Sequence, residues 1–194
     1  SVPDTGYLEK IKKLGCICHE TVMERRGMNP LKDGKLLLFY RKLLKTIHPA
    51  AVLTYTIKPN IYGGVACRLA KVPYLVNITG LGTTLEHDGA LQKLIVLLYR
   101  TGMSGAGCVF FQNEQNLAFM RQKGCLKKRT KPGVIPAPGV TREEHPPMPY
   151  PKEDTVRFVS VMRIMKDKGI EELLEAARRI HEKHPETVFE LLGA

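Results

Sequence analysis

A chain of 194 residues that is 43% apolar and 25% charged is long enough to bury a core without covalent staples and hydrophobic enough to fold, which excludes a disulfide-stapled miniature scaffold and a disordered chain. No apolar run approaches the eighteen or so residues of a membrane span, and Cys16, Cys18, Cys67, Cys108 and Cys125 form neither a bridging framework nor a paired CxxC set, so a reducing cytoplasm is the expected setting. The net charge of +11 is unevenly held: residues 1–140 carry 21 Lys and Arg against 8 Asp and Glu, or +13, while residues 141–194 carry 9 against 11. The first part therefore calls for an anionic partner, and charge alone leaves phosphate-bearing lipid, a membrane surface and nucleic acid open.

In chain order, short apolar or β-branched runs alternate with longer runs of helical period, the pattern of βα units that close a parallel sheet. The periodicity predicts helix over 7–13, strand over 16–22, helix over 31–47 and strand over 51–56. It continues with helix over 60–70, strand over 74–79, helix over 90–101, strand over 107–112, helix over 114–123 and strand over 133–137. In the 31–47 helix, Leu36, Leu37, Tyr40, Leu43, Leu44 and Ile47 share a face, while Lys32, Lys35, Lys42 and Lys45 face away.

Residues 141–153 are rich in proline and charge, cannot propagate a helix or central strand, and read as an interdomain linker. The pattern then restarts: strand over 156–162, helix over 169–183 with Ile170, Leu173, Leu174, Ala177 and Ile180 on one face, and strand over 187–192. Forty residues are too few to close a second sheet, and the first helix has no earlier strand to cross over from. A piece of a longer protein, cut at both ends, is the expectation.

Three loops carry chemistry. Residues 163–169, Arg-Ile-Met-Lys-Asp-Lys-Gly, leave a strand and open a helix, bringing Arg163 and Lys168 beside unpaired amides at a positive dipole end, an arrangement suited to a diphosphate. Residues 76–84, Val-Asn-Ile-Thr-Gly-Leu-Gly-Thr-Thr, leave a strand into a glycine- and threonine-rich loop where a ligand reaches backbone amides. Residues 54–64 end a strand with hydroxyls, Lys58, Asn60 and small residues. A polar turn would explain each loop equally well taken alone. Cys16 and Cys18 beside His19 lack the further ligands of a metal site and read as half-buried strand positions. His181 and His184 read as solvated, as does the basic run Lys127, Lys128, Arg129 and Lys131.

Arg25-Arg26-Gly27-Met28-Asn29-Pro30, the 54–63 run, Asn77 to Thr83, Phe110-Phe111-Gln112-Asn113-Glu114 and Arg163 to Gly169 together resemble family 4 glycosyltransferases of bacterial surface-polysaccharide synthesis. The resemblance is strongest to the subgroup with polyprenyl-diphosphate-linked acceptors. It spans nearly the whole chain and implies the GT-B architecture of two Rossmann-like domains, each an α/β unit built on a parallel sheet. Residues 1–140 would be an acceptor-binding domain lacking its first unit, and residues 154–194 the opening of the nucleotide-sugar-binding domain. The activity implied is transfer of a sugar from a nucleotide-sugar donor to a lipid-diphosphate-linked saccharide, with retained anomeric configuration and no metal or other cofactor. Arg163, Lys168 and Gly169 would hold the donor diphosphate, and Lys58, Asn60, Thr79, Gly80, Gly82 and Glu114 would line the acceptor side.

The sequence departs from that family in two places. Met162 stands where a glycine commonly precedes the donor-loop arginine, and the 77–79 loop lacks the histidine of many relatives. The paired glutamates that grip donor ribose and sugar in the family have no counterpart up to Ala194, so the fragment is expected to be inactive alone. A catalytically dead Rossmann-like scaffold or partner subunit is the competing reading. The first part shows no aromatic-interleaved basic sheet or recognition helix, which argues against nucleic acid. An anionic membrane surface is the expected partner, with the protein cytoplasmic and peripheral on the inner face of the cell membrane.

Overall fold

A computed structural model describes residues 7–21, 23, 27, 29–82, 85, 88–136, 139–149 and 155–193. Val22, Arg25, Arg26, Met28, Thr83, Thr84, Ala137, residues 150–153 of the expected linker and Asp154 after it lie outside the described residues. The chain divides into two compact units, Ser1–Pro138 and Gly139–Ala194.

In the first unit, α1 (Tyr7–Lys13), α2 (Pro30–Ile47), β1 (Val52–Tyr55), α3 (Gly64–Ala70), β2 (Tyr74–Ile78), α4 (Ala90–Met103), β3 (Cys108–Phe111), α5 (Glu114–Gln122) and β4 (Lys131–Val134) follow one another. The strands pair in parallel in the order β1-β2-β3-β4, with Val52 opposite Tyr74, Val76 opposite Val109 and Phe110 opposite Gly133. Parallel strands need crossovers, and α3, α4 and α5 supply them. The core gathers on the two central strands: Val76, Ile78, Val109 and Phe111 are sealed from solvent with Tyr99 and Met103 of α4 and Met120 of α5. Each such side chain contributes about 1.5–3 kcal/mol by leaving water.

Several boundaries moved for identifiable reasons. The strand expected at 16–22 does not form among the described residues there, and Cys16 and Cys18 are exposed rather than half buried. An apolar alternation becomes a strand only beside a neighbour, and β1 pairs with β2 alone. β4 starts at Lys131 and runs through Pro132, because it lies at the sheet edge where a missing N–H is tolerated. The helix expected from residue 60 opens with a π turn, Pro59–Gly63, before α3. Its wide first turn follows Thr56, a β-branched residue in the left-handed region at φ 66°.

α4 packs on the π turn at backbone distance. A Cβ on Gly102 would lie 2.6 Å from the Asn60 carbonyl oxygen and 2.6 Å from the Ile61 Cα. The Tyr74 hydroxyl fastens the same corner, donating to the Gly102 carbonyl at 2.6 Å and accepting from the Gly105 amide at 3.0 Å.

In the second unit, β5 (Arg157–Val161) pairs in parallel with β6 (Val188–Leu192), joined by α6 (Ile170–Lys183). Phe158 and Phe189 stack with centroids 4.7 Å apart, and Glu175 accepts from Arg178 and Arg179 along α6. Those two guanidinium groups hold the Glu175 carboxyl well below the ordinary range. Leu174, expected on the packed face, is 54% exposed because it sits at the margin of the stripe that a two-stranded sheet covers.

Two glycines give predictions of opposite sign. Gly102→Ala forces backbone apart and should destabilise the first unit by about 3 kcal/mol. Gly34, inside α2 with nothing within 4 Å of an added Cβ, should as Ala stabilise it by about 1 kcal/mol. Urea denaturation of both variants measures the pair.

Candidate functional site

Parallel strands send their exits to one edge of the sheet, where ligands of open α/β sheets bind. Lys58 and Asn60 follow β1, Thr79, Gly80 and Gly82 follow β2, and Glu114 follows β3. The six residues singled out for the acceptor side therefore sit on the exits of three adjacent strands.

Their side chains divide by environment. The Lys58 ammonium donates to Asp33 Oδ1 at 2.7 Å, and the Tyr62 hydroxyl donates to Asp33 Oδ2 at 3.0 Å. Both carboxylate oxygens are thus engaged, with the Asp33 and Lys58 side chains only 6% and 12% exposed. Burial, reinforced by the Asp33 hydrogen bond and charge, pushes the Tyr62 phenol up to about 12. Asn60 is sealed from solvent, and its Nδ2 donates to the Asn77 carbonyl at 2.9 Å, tying the β1 exit to the end of β2. Its Oδ1 has no hydrogen-bond partner. Asn60 therefore holds the loop from beneath rather than presenting surface to a ligand.

Thr79, Gly80 and Gly82 are exposed. Gly82 adopts φ 71°, a left-handed conformation that side chains resist. The loop is anchored at Leu85, which is 2% exposed, donates its amide to the Gly82 carbonyl and accepts from Gln92 Nε2 at 3.0 Å. Glu114 is exposed in the first turn of α5, where the helix dipole favours a carboxylate, and Asn113 caps that turn by accepting from the Asn116 amide at 2.8 Å.

In the second unit, Arg163 leaves β5 just after Met162, whose amide donates to the Leu192 carbonyl at 3.0 Å. A 3-10 turn, Lys166–Lys168, leads to Gly169 at φ 76°, and α6 begins at the next residue. The amides of the first α6 turn precede the helix's own hydrogen-bond ladder. Lys166 pairs with Glu171 at 3.1 Å, whereas Arg163 and Lys168, both exposed, pair with no carboxylate among the described residues. The loop thus joins two uncommitted cations to a helix start. Gly193 lies against the Met162 carbonyl, leaving no room there for a side chain.

Asp33, Tyr62 and Gln92 are the residues that sequence reasoning missed. Asp33 is the sole acid in a lysine-rich helix, and Tyr62 stands four residues after Lys58 on a helical turn; both signals were present in the spacing. Among the described residues no group of three or more His, Cys, Asp or Glu side chains is placed to hold a metal ion.

A family model described as "Glycosyl transferase 4-like" matches residues 8–113. A curated relative from Campylobacter jejuni, named N,N'-diacetylbacillosaminyl-diphospho-undecaprenol alpha-1,3-N-acetylgalactosaminyltransferase, is 26% identical over 199 residues, covering 94% of this chain and 52% of its own length. The chain thus spans about half the length of that relative. Among solved structures, an S. aureus MnaA-UDP complex covers 88% of this chain and 48% of its own at 13% identity and a TM-score of 0.46. MurG of Acinetobacter baumannii covers 100% and 56% at 13% identity and the same TM-score.

Removing one partner of a buried ion pair strands the other charge. Asp33→Ala and Lys58→Ala should each cost about 3 kcal/mol, and the double variant should lose clearly less than the sum, read by urea denaturation as a double-mutant cycle. The Tyr62 contribution is fully present below pH 10 and is lost as pH rises through about 12, since its folded pKa lies above the ordinary value of 10.0. Tyr62→Phe should flatten the decline in stability across that interval.

Proposed function

Because the chain belongs to the glycosyl transferase 4-like family, we propose that it forms the acceptor-side domain and the opening of the donor-side domain of a GT-B enzyme. That enzyme moves a sugar from a nucleotide-sugar donor to a lipid-diphosphate-linked saccharide during surface polysaccharide or glycan synthesis. The observation that carries the reading is the family match across residues 8–113, which spans the β1 and β2 exits, where Lys58, Asn60, Thr79, Gly80 and Gly82 lie, and ends one residue before Glu114. The printed name of the Campylobacter relative, an N-acetylgalactosaminyltransferase of a diphospho-undecaprenol-linked sugar, supports the acceptor class.

Chemically, transfer breaks the bond between the sugar and the β-phosphate oxygen, and negative charge grows on the departing diphosphate. Fixed donors already aimed at that charge lower the barrier without reorganising. Arg163 offers a planar fork to two phosphate oxygens and Lys168 a point charge, while the first α6 turn adds backbone N–H groups and the positive end of its dipole. These cations take the role that a metal ion plays elsewhere, so in this reading the transfer needs no metal; retention of the anomeric configuration is what the family resemblance implies. On the acceptor side, the exposed Thr79, Gly80 and Gly82 loop meets the lipid-linked saccharide, with Lys58 and Asn60 fixing the edge beside it. The 194 residues alone are inactive in this reading. No helix among the described residues is long and apolar enough to cross a membrane, and the enzyme works as a peripheral protein at the cytoplasmic face.

In a polypeptide carrying these residues with the remainder of such an enzyme, Arg163→Ala or Lys168→Ala should lower kcat by about a hundredfold or more with circular dichroism unchanged. Transfer should persist in EDTA. Near-normal turnover in a folded Arg163→Ala protein would remove the diphosphate assignment.

A further inference from the structure

Cations on strand exits are treated in two ways in this chain. Arg163 and Lys168, after β5, are exposed and stand without a carboxylate partner among the described residues. Lys58, after β1, carries its own counter-ion: the ammonium donates to Asp33 Oδ1 at 2.7 Å, and the other oxygen of that carboxylate accepts from the Tyr62 hydroxyl at 3.0 Å. Opposite charges at contact cancel at any distance much greater than their separation, so a ligand meets a dipole there rather than a charge.

The pair is nonetheless unfinished. An ammonium has three N–H groups, and that of Lys58 meets one acceptor among the described residues although its side chain is only 12% exposed. Donors so far from water are costly to leave without a partner. Because Asp33 holds the ammonium on one side, the remaining N–H groups are turned to the other. The surroundings keep them there. Asn29 caps α2 by accepting from the Leu31 and Lys32 amides, which sets Asp33 in the first turn of that helix. The Asn60 amide donates to the Thr56 carbonyl and the Asn60 side chain to the Asn77 carbonyl, so the exit bearing Lys58 is pinned to the exit of β2, whose Thr79 and Gly80 are exposed.

We propose that Lys58, set in place by Asp33 and Tyr62, donates to a hydroxyl of the acceptor saccharide rather than to its diphosphate, which makes Asp33 and Tyr62 positioning residues for acceptor selection. This rests on the acceptor-side reading above and names the part of the lipid-linked saccharide that the β1 exit meets. Two considerations favour a neutral oxygen. A diphosphate gains most from cations that stand without a counter-ion, as Arg163 and Lys168 do, whereas a carboxylate directly behind the ammonium repels an approaching phosphate. A sugar hydroxyl accepts from the same ammonium without that repulsion. Selectivity follows, since a site built to hydrogen-bond a hydroxyl rejects analogues that lack it by leaving its own buried group unpaired.

Calorimetry of the 194-residue chain with inorganic pyrophosphate tests the choice of ligand without sugar transfer. Wild type and Lys58→Met should behave alike; weaker pyrophosphate binding by a folded Lys58→Met would make Lys58 a phosphate contact and overturn the proposal. The second arm uses a polypeptide carrying these residues with the remainder of the enzyme, a panel of farnesyl-diphosphate-linked hexoses and N-acetylhexosamines, and their deoxy analogues. Lys58→Met should raise the acceptor KM by about ten- to a hundredfold while donor KM and kcat hold. One deoxy analogue should cost the wild type a similar factor and cost Lys58→Met nothing further. Asp33→Asn and the milder Tyr62→Phe should each raise the acceptor KM, and neither should raise it further in the Lys58→Met background, even where the urea midpoint still falls. A merely structural loss would move donor KM as well and would add in the double variant. Absence of transfer by the wild type removes the transferase reading and this proposal with it. Transfer with an unchanged acceptor KM in Lys58→Met, an equal rise in donor KM, a further rise in the double variants, or no deoxy analogue that separates wild type from Lys58→Met overturns this assignment alone.

Discussion

The buried Asp33 carboxylate is the point on which the first unit is hung. Three elements meet there: α2 supplies the acid, the β1 exit supplies Lys58, and the π turn supplies Tyr62. A charge taken out of water is stable only while its partners stay in place, so the triad fixes the rotation of α2 and the position of the β1 exit together. One consequence is inward, since the loop beside the sheet edge cannot drift. The other is outward, because turning the only acid of α2 inside leaves the solvent face of that helix without a negative charge.

The loop geometry at the sheet edge follows from the same constraint. Thr56 holds a left-handed conformation that costs a β-branched residue about 1–2 kcal/mol, and the chain keeps it because both flanks are tied down. Upstream is the β1–β2 ladder; downstream is the Asn60 amide, which bonds the Thr56 carbonyl at 3.0 Å, and the Asn60 side chain on the Asn77 carbonyl. α4 closes over this turn at Gly102, where only a glycine fits. The site edge is therefore built on rigid elements, with the exposed 79–82 loop as its accessible part.

The second unit is organised by the same βα logic with far less burial. Of its described residues only Thr187 is buried, and α6 relies on ion pairs along its own length, Glu175 with Arg178 and Arg179, and Arg178 with Glu182. Exposed pairs of this kind contribute little each. What the unit does define is a short strand-to-helix loop in which Lys166 is spent on Glu171 while Arg163 and Lys168 remain uncommitted, a division of labour among three neighbouring cations that composition would not reveal.

The sequence by itself determined the α/β class, the parallel order of strands and the loops that carry the candidate residues, because apolar periodicity and glycine placement are local properties that fix which faces are buried. It also located Arg163 and Lys168 before a helix start. Tertiary structure alone decided the rest. Whether 16–21 is a strand depends on a neighbour far along the chain, and that neighbour is absent among the described residues. Whether Lys58 is a free cation depends on an acid 25 residues earlier. Whether Asn60 lines a surface or lies beneath it depends on the Asn77 carbonyl of the next strand. In each case the deciding partner is remote along the chain, and only folding brings the two together.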